Sequence, residues 1–130
     1  MILHHGVRQI LAALVVLLLL ALTLEGIAGG VGQFPDSITG AQYVQSAAQL
    51  LYGVFALFCI VTAIQWRRFA GLVHVGFVAS SVVATGLAAV SWGNQSYWYG
   101  FIAAVTALVI ASLLVWSVRA ALIPLVKREL

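Results

Sequence analysis

Apolar residues fill four long stretches of this chain, and short polar segments separate them. The densest stretch, ILAALVVLLLLALTL, belongs to a first helix that we expect over about residues 7–25. Three more stretches predict helices over about residues 40–65, 71–92 and 98–119, the last ending no later than the residue before Pro124. Because about 20 apolar residues cross the hydrocarbon core of a membrane, each stretch is long enough to span it. The pattern predicts an all-α membrane protein with four transmembrane helices.

The polar segments indicate where the helices begin and end. Thr39, followed three residues later by Gln42, matches a capping box, in which two side chains satisfy free amides at a helix N-terminus. The basic turn WRRF separates the second helix from the third. No formal charge occurs from Phe69 to Val118, a stretch too long for one span at about 1.5 Å per residue. We therefore predict a turn in WGNQSYW, where glycine and asparagine tolerate turn geometry.

Composition supports a membrane location and a single domain. Of the 130 residues, 64% are hydrophobic and 7% are charged, far from the balance of a soluble domain. This length suits one domain, residues 1–130. The lone Cys59 cannot form an intrachain disulfide or a paired-cysteine zinc site. The basic residues do not cluster on one soluble surface, so no nucleic-acid partner is expected.

The first apolar stretch also has features of a secretory signal peptide. It is followed by the small residues of GIA, which suit a cleavage site. We expect the segment to remain attached and to act as the first transmembrane helix.

The six basic residues all fall on one side of the expected membrane, whereas Glu25 and Asp36 fall on the other. Since lysine and arginine favour the cytoplasmic side, we expect an antiparallel bundle with both termini in the cytoplasm. A double-arginine turn between two helices resembles bacterial inner-membrane proteins, so the bacterial inner (cytoplasmic) membrane is the expected location. The predicted topology determinants are Arg8, Arg67, Arg68, Arg119, Lys127 and Arg128.

Three glutamines enter the second helix on one face. Gln42, Gln45 and Gln49 are spaced by three and four residues, and Tyr52 continues the same face. Because an unpaired polar group is costly in hydrocarbon, we expect this face to meet protein or trapped water. It predicts either interhelical hydrogen bonds or a solvent or ligand cavity. The candidate polar pocket, on the outer side, comprises Glu25, Gln42, Gln45, Gln49, Tyr52 and Tyr99.

Small residues indicate where the helices approach one another closely. In membranes such residues let two helix backbones come together, and the spacing of Gly26 and Gly30 gives a weak signal of this kind. The candidate packing residues are Gly53 on the second helix and Gly100, Ala103, Ala107 and Ala111 on the fourth.

His74 is the only histidine within a predicted span, near the cytoplasmic end of the third helix. It could bind a haem or pigment metal, but no second histidine in a span is available for a bis-histidine haem. A hydrogen-bonded structural histidine is the alternative. We expect neither a metal site nor a cofactor.

The sequence contains no nucleophile motif, zinc-protease motif, phosphate-binding loop or paired carboxylates, so we predict that the protein is not an enzyme. The leading interpretation is an accessory or stabilising subunit of a larger membrane complex. Its partners would be the lipid bilayer and other membrane subunits or copies of itself. A small homo-oligomeric transporter or channel that uses the outer polar pocket is the alternative. A pigment- or haem-binding subunit using His74 is a weaker one.

Overall fold

The computed structural model describes residues 5–91 and 97–129, and every regular element in them is helical. Within these residues four helices are long and apolar enough to cross a membrane, in agreement with the four long apolar helices that the sequence predicts. Residue 92, the predicted turn in WGNQSYW and the side chain of Arg128 lie outside the described part of the chain. The main helices are α1 (His5–Gln33), α2 (Gly40–Ile64), α3 (Ala70–Ser91), α4 (Tyr97–Ser117) and the short α5 (Ile123–Glu129).

The N-terminus of α2 has the predicted capping box. The amide of Gln42 donates to Oγ1 of Thr39 at 3.2 Å, and the amide of Thr39 donates to Oε1 of Gln42 at 3.3 Å. The motif involves two residues only three positions apart, which is why the sequence alone predicts it.

The first helix extends to Gln33, beyond the predicted end near residue 25. Glycine normally weakens a helix, so no helix was predicted over the segment GIAGGVG. In the structure Gly26 lies against α2, where an added Cβ would be 2.6 Å from Cα of Gly53. Close packing against α2 therefore stabilises a helical segment that its own residues disfavour.

Pro124 does not end the fourth helical segment, contrary to the prediction. A π-helical turn, Val118–Leu122, follows α4 and leads directly into α5. The amide of Ile123 donates to the carbonyl of Val118, one residue further back than in an α-helix. The proline is the second residue of α5, directly after the π-helical turn.

The helices pack in chain order, with α2 against α1 and α3, and α3 against α4. Contacts between α1 and the last helical segment are made mainly by the π-helical turn, and α4 itself touches α1 little. This unequal contact leaves the structure tightly closed near the π-helical turn and more open at the other end of α4.

The core extends from the middle of the structure to one end, with Val15, Leu19, Cys59, Phe77 and Val118 almost completely buried. We call this the arginine end, because the described basic side chains lie in the helix ends around it, namely Arg8, Arg67, Arg68, Arg119 and Lys127. The opposite end holds Gln33, Gln42, Gln45 and Gln49 and is called the glutamine end.

Candidate functional site

A chain of hydrogen bonds joins α2 to α1 at the glutamine end. Nε2 of Gln45 donates to Oε1 of Gln49 at 3.0 Å, and Nε2 of Gln49 donates to Oε1 of Glu25 at 2.9 Å. Gln45 and Gln49 are only 2% and 7% exposed, whereas Glu25 is exposed. The buried amides therefore hold one oxygen of an exposed carboxylate in a fixed position.

Three glycines bring this acid and these amides together. Gly26 and Gly53 lie at the crossing of α1 and α2, so the two backbones come into contact. Gly29 makes room for the Gln49 side chain, because a Cβ there would overlap its Nε2 atom. With larger residues at these positions α1 would be pushed away from α2, and Gln49 would no longer reach Glu25.

The hydrogen-bonded chain lines an open cleft with a volume of about 240 Å³. A second, apolar cavity of about 190 Å³ lies deeper, among Leu22, Phe77, Leu114 and their neighbours. Tyr52 and Thr85 line both spaces, so the cleft and the cavity adjoin. Together they offer hydrogen-bonding groups at one end and apolar walls at the other, as small-molecule sites commonly do.

Gln33 also lines the cleft, and its Oε1 atom is buried without a hydrogen-bond partner among the described residues. A buried acceptor without a partner is costly, which suits a position that receives a hydrogen bond from a bound molecule or water. Gln33 was not predicted as a site residue, because the first helix was expected to end near residue 25. The available signal was the Gly26 and Gly30 spacing, which continues the packing face of α1 towards Gln33.

Two of the predicted pocket residues do not line the cleft. Gln42 is used by the capping box, and its Nε2 also donates to the carbonyl of Ser91 at 3.1 Å, which links α2 to α3. Tyr99 is 55% exposed. The cleft therefore includes four of the predicted residues, Glu25, Gln45, Gln49 and Tyr52.

The small residues proposed for helix packing occupy different environments. Gly53 lies at the α1–α2 crossing, and Gly100 is buried against Val90 of α3. Ala111 is buried in the core, while Ala103 and Ala107 are half-buried.

His74 is buried at the arginine end, 2% exposed, and its Nδ1 accepts a hydrogen bond from Nε of Arg119 at 3.0 Å. A neutral imidazole that accepts at Nδ1 carries its proton on Nε2, so neither nitrogen has a lone pair free for a metal. Within residues 5–91 and 97–129, no group of three or more histidine, cysteine or acidic residues could hold a metal ion. One nitrogen of His74 is thus hydrogen-bonded, as the structural interpretation expects, while Nε2 is buried without a hydrogen-bond partner among the described residues.

At the arginine end Arg67, Arg68 and Lys127 bond locally or lie at the surface, whereas Arg8 is half-buried and its Nε has no hydrogen-bond partner among the described residues. Nε of Arg67 donates to the carbonyl of Ala63 at 3.3 Å, and the guanidinium of Arg68 lies 4.8 Å from the centre of the Phe69 ring. Lys127 is exposed. These positions are compatible with the predicted role of basic residues at a membrane surface.

At the described site an acid accepts a hydrogen bond from one of two linked, buried amides, beside a cleft that adjoins an apolar cavity. Such a site can accept hydrogen bonds from a ligand and contact an apolar group. No family model matches the chain, and no curated protein or solved structure matches it either. Its function is therefore inferred from this geometry.

Proposed function

We propose that this chain is a non-enzymatic integral membrane protein that binds a small amphipathic cation at the glutamine end. One observation supports this proposal above the others. The hydrogen-bonded chain Gln45–Gln49–Glu25 lines a cleft that adjoins an apolar cavity. The site fits the interpretation of the polar pocket as a ligand cavity, and interhelical hydrogen bonds are part of how it is built.

The ligand class follows from the chemistry of the site. Oε1 of Glu25 accepts from Gln49, and the second carboxylate oxygen can accept from a ligand ammonium group. Gln33 supplies a further acceptor, its buried Oε1 atom. Leu22, Phe77 and Leu114 surround the apolar part of the ligand. An amine or ammonium compound with a small aromatic or aliphatic group matches these features.

The proposed membrane arrangement is an antiparallel bundle with both termini in the cytoplasm of a bacterium. The charge distribution supports it, because the basic residues lie at the arginine end and this end would face the cytoplasm. The cleft at the glutamine end would then face the outside and the outer leaflet.

The packing favours a closed-ended site in a single chain. Below the cavity, Val15, Leu19 and Cys59 are almost completely buried, so the arginine end gives no continuous passage. A transporter built on this site would therefore need a conformational change or further copies of the chain. We therefore propose that the binding site belongs to a small homo-oligomeric transporter.

Binding to the purified protein in lipid nanodiscs tests the proposal, with benzylammonium as the probe and benzyl alcohol as its uncharged counterpart. We expect benzylammonium to bind more tightly than benzyl alcohol. Glu25→Gln should weaken benzylammonium binding by about tenfold or more, because hydrogen bonds to a charged group contribute about 1.5–3 kcal/mol. The double variant Glu25→Gln with Gln49→Leu should lose detectable binding.

Asp36→Asn is the matched control, because Asp36 is an exposed acid near the same end and does not line the cleft. Its affinity should equal that of the unmodified protein. Equal binding of benzyl alcohol and benzylammonium, or equal losses in the Glu25 and Asp36 variants, would reject the site.

An accessory or stabilising subunit of a larger complex is a second proposal, favoured by the large exposed surface of α4. Phe101, Val105 and Leu113 are exposed there, and α4 packs mainly on α3. Native mass spectrometry after gentle extraction separates the two proposals. A mass that includes other chains supports a subunit, whereas a small multiple of 13.8 kDa supports a homo-oligomer.

A further inference from the structure

A groove runs along the surface of the protein between α3 and α4, away from the cleft. Its volume is about 510 Å³, and its walls are almost entirely aliphatic, including Val75, Val82 and Leu108. The two polar residues that line it, His74 and Arg119, both belong to the arginine end. The groove is therefore apolar along most of its length and has a cation at one end.

The length of this groove matches one leaflet of a bilayer. From His74 to Val83, α3 rises about 14 Å at about 1.5 Å per residue. The hydrocarbon core of a membrane is about 30 Å thick, so half of it is about 15 Å. A chain lying in the groove would reach from the level of Arg119 to about the middle of the membrane.

Arg119 is held in place at the end of the groove. Its Nε donates to Nδ1 of the buried His74, which fixes the orientation of an otherwise exposed guanidinium group. The terminal guanidinium nitrogens make no hydrogen bond within the described part of the chain, and no acidic side chain lines the groove there. Its positive charge is thus available to an anion, and guanidinium binds phosphate well.

The π-helical turn contributes to this geometry, because Arg119 is its second residue. Such turns often occur at functional sites, where they change the direction of the side chains that follow. Here Arg119 of the turn donates a hydrogen bond to His74 of α3.

We propose that this groove binds an anionic phospholipid of the inner leaflet, with the lipid phosphate on Arg119 and one acyl chain between α3 and α4. Basic positions between transmembrane helices at the cytoplasmic side commonly bind anionic headgroups. This site lies at the opposite end from the amphipathic-cation cleft and does not depend on it, whereas its place in the inner leaflet rests on the proposed orientation of the arginine end.

Native mass spectrometry of the protein released from vesicles tests this site. The vesicles contain equal amounts of phosphatidylglycerol and phosphatidylcholine with identical acyl chains, and the fraction of protein retaining each lipid is measured. We expect retention of one phosphatidylglycerol in preference to phosphatidylcholine. Arg119→Gln should reduce this preference about fivefold, since one basic residue near an anionic surface contributes about 1 kcal/mol.

Two further variants distinguish the groove from general surface charge. Arg68→Gln removes a basic residue of the same end that does not line the groove, and it should leave retention nearly unchanged. Ala79→Phe adds a ring at an exposed position in the groove wall and should reduce retention of both lipids. Circular dichroism of each variant checks that the helices remain formed.

Equal losses in the Arg119 and Arg68 variants would attribute the effect to general surface charge and overturn the proposal. Equal retention of the two phospholipids by the unmodified protein would do the same. Normal lipid retention by a folded Ala79→Phe variant would exclude the groove as the binding place.

Discussion

The same four helices form both ends of this protein, but they pack closely at one end and leave a cleft at the other. At the arginine end, α1, α2, α3 and the π-helical turn enclose an apolar core around Leu19, Cys59 and Phe77. At the glutamine end α4 has little contact with α1, and polar side chains surround a cleft. A closed end can hold the helices in position while the other end keeps room for a ligand. The comparison suggests a rigid base that supports a binding site.

Phe77→Ala should give the largest effect, because Phe77 belongs both to the core and to the wall of the apolar cavity. We expect a loss of about 3–5 kcal/mol in the free energy of unfolding, as for other buried aromatic truncations. Denaturation in mixed micelles, followed by circular dichroism, measures it. Phe101→Ala, at a residue 61% exposed on α4, is the control and should change stability little. Equal losses in the two variants would mean that the closed core is not the stable base.

Gly26→Val should have the next largest effect, because its side chain would meet the backbone of α2 at Gly53. We expect a loss of about 1–3 kcal/mol, typical of an overpacked contact, together with loss of benzylammonium binding. The same denaturation and binding measurements apply. Gly32→Val is a matched control, since a Cβ at Gly32 meets nothing within 4 Å. Similar results for both valine variants would contradict the close α1–α2 crossing.

Gln49→Leu should have the smallest effect on stability. It removes the bond to Glu25 and the acceptor for Gln45, and interhelical hydrogen bonds in membranes contribute about 0.5–2 kcal/mol each. Unfolding in mixed micelles measures this loss. Gln9→Leu changes an exposed glutamine of α1 at the arginine end and should be nearly neutral. A Gln49 variant as stable as the Gln9 variant would show that the hydrogen-bonded chain does not join the helices.

The sequence predicts the features that depend on nearby residues. The four apolar stretches and the Thr39–Gln42 capping box are local patterns, and the structure has both. The shared face of Gln45, Gln49 and Tyr52 follows from helical spacing alone. Local patterns were therefore sufficient for the number of spans and for part of the cleft.

The remaining features depend on how the helices meet. The glycines of α1 are helical only because α2 packs closely on them, so Gln33 could not be placed from local propensity. The helix crossing also decides that Gln49 reaches Glu25 whereas Gln42 reaches Ser91. Pro124 is accommodated by a π-helical turn that no local signal predicted.

Thiol labelling tests the contrast between the two ends most directly. Cys59, the only cysteine of the chain, is fully buried in the core of the arginine end. Thr85, which lines both the cleft and the apolar cavity, is exposed and can be replaced by cysteine.

Sealed vesicles with the glutamine end outward are treated with a membrane-impermeant methanethiosulfonate reagent, and the labelled mass is recorded. We expect Thr85→Cys to react, benzylammonium to slow that reaction, and Cys59 to remain unlabelled. Labelling of Cys59 as fast as Thr85→Cys, or no labelling at Thr85→Cys, would contradict a cleft that opens at the glutamine end above a closed core.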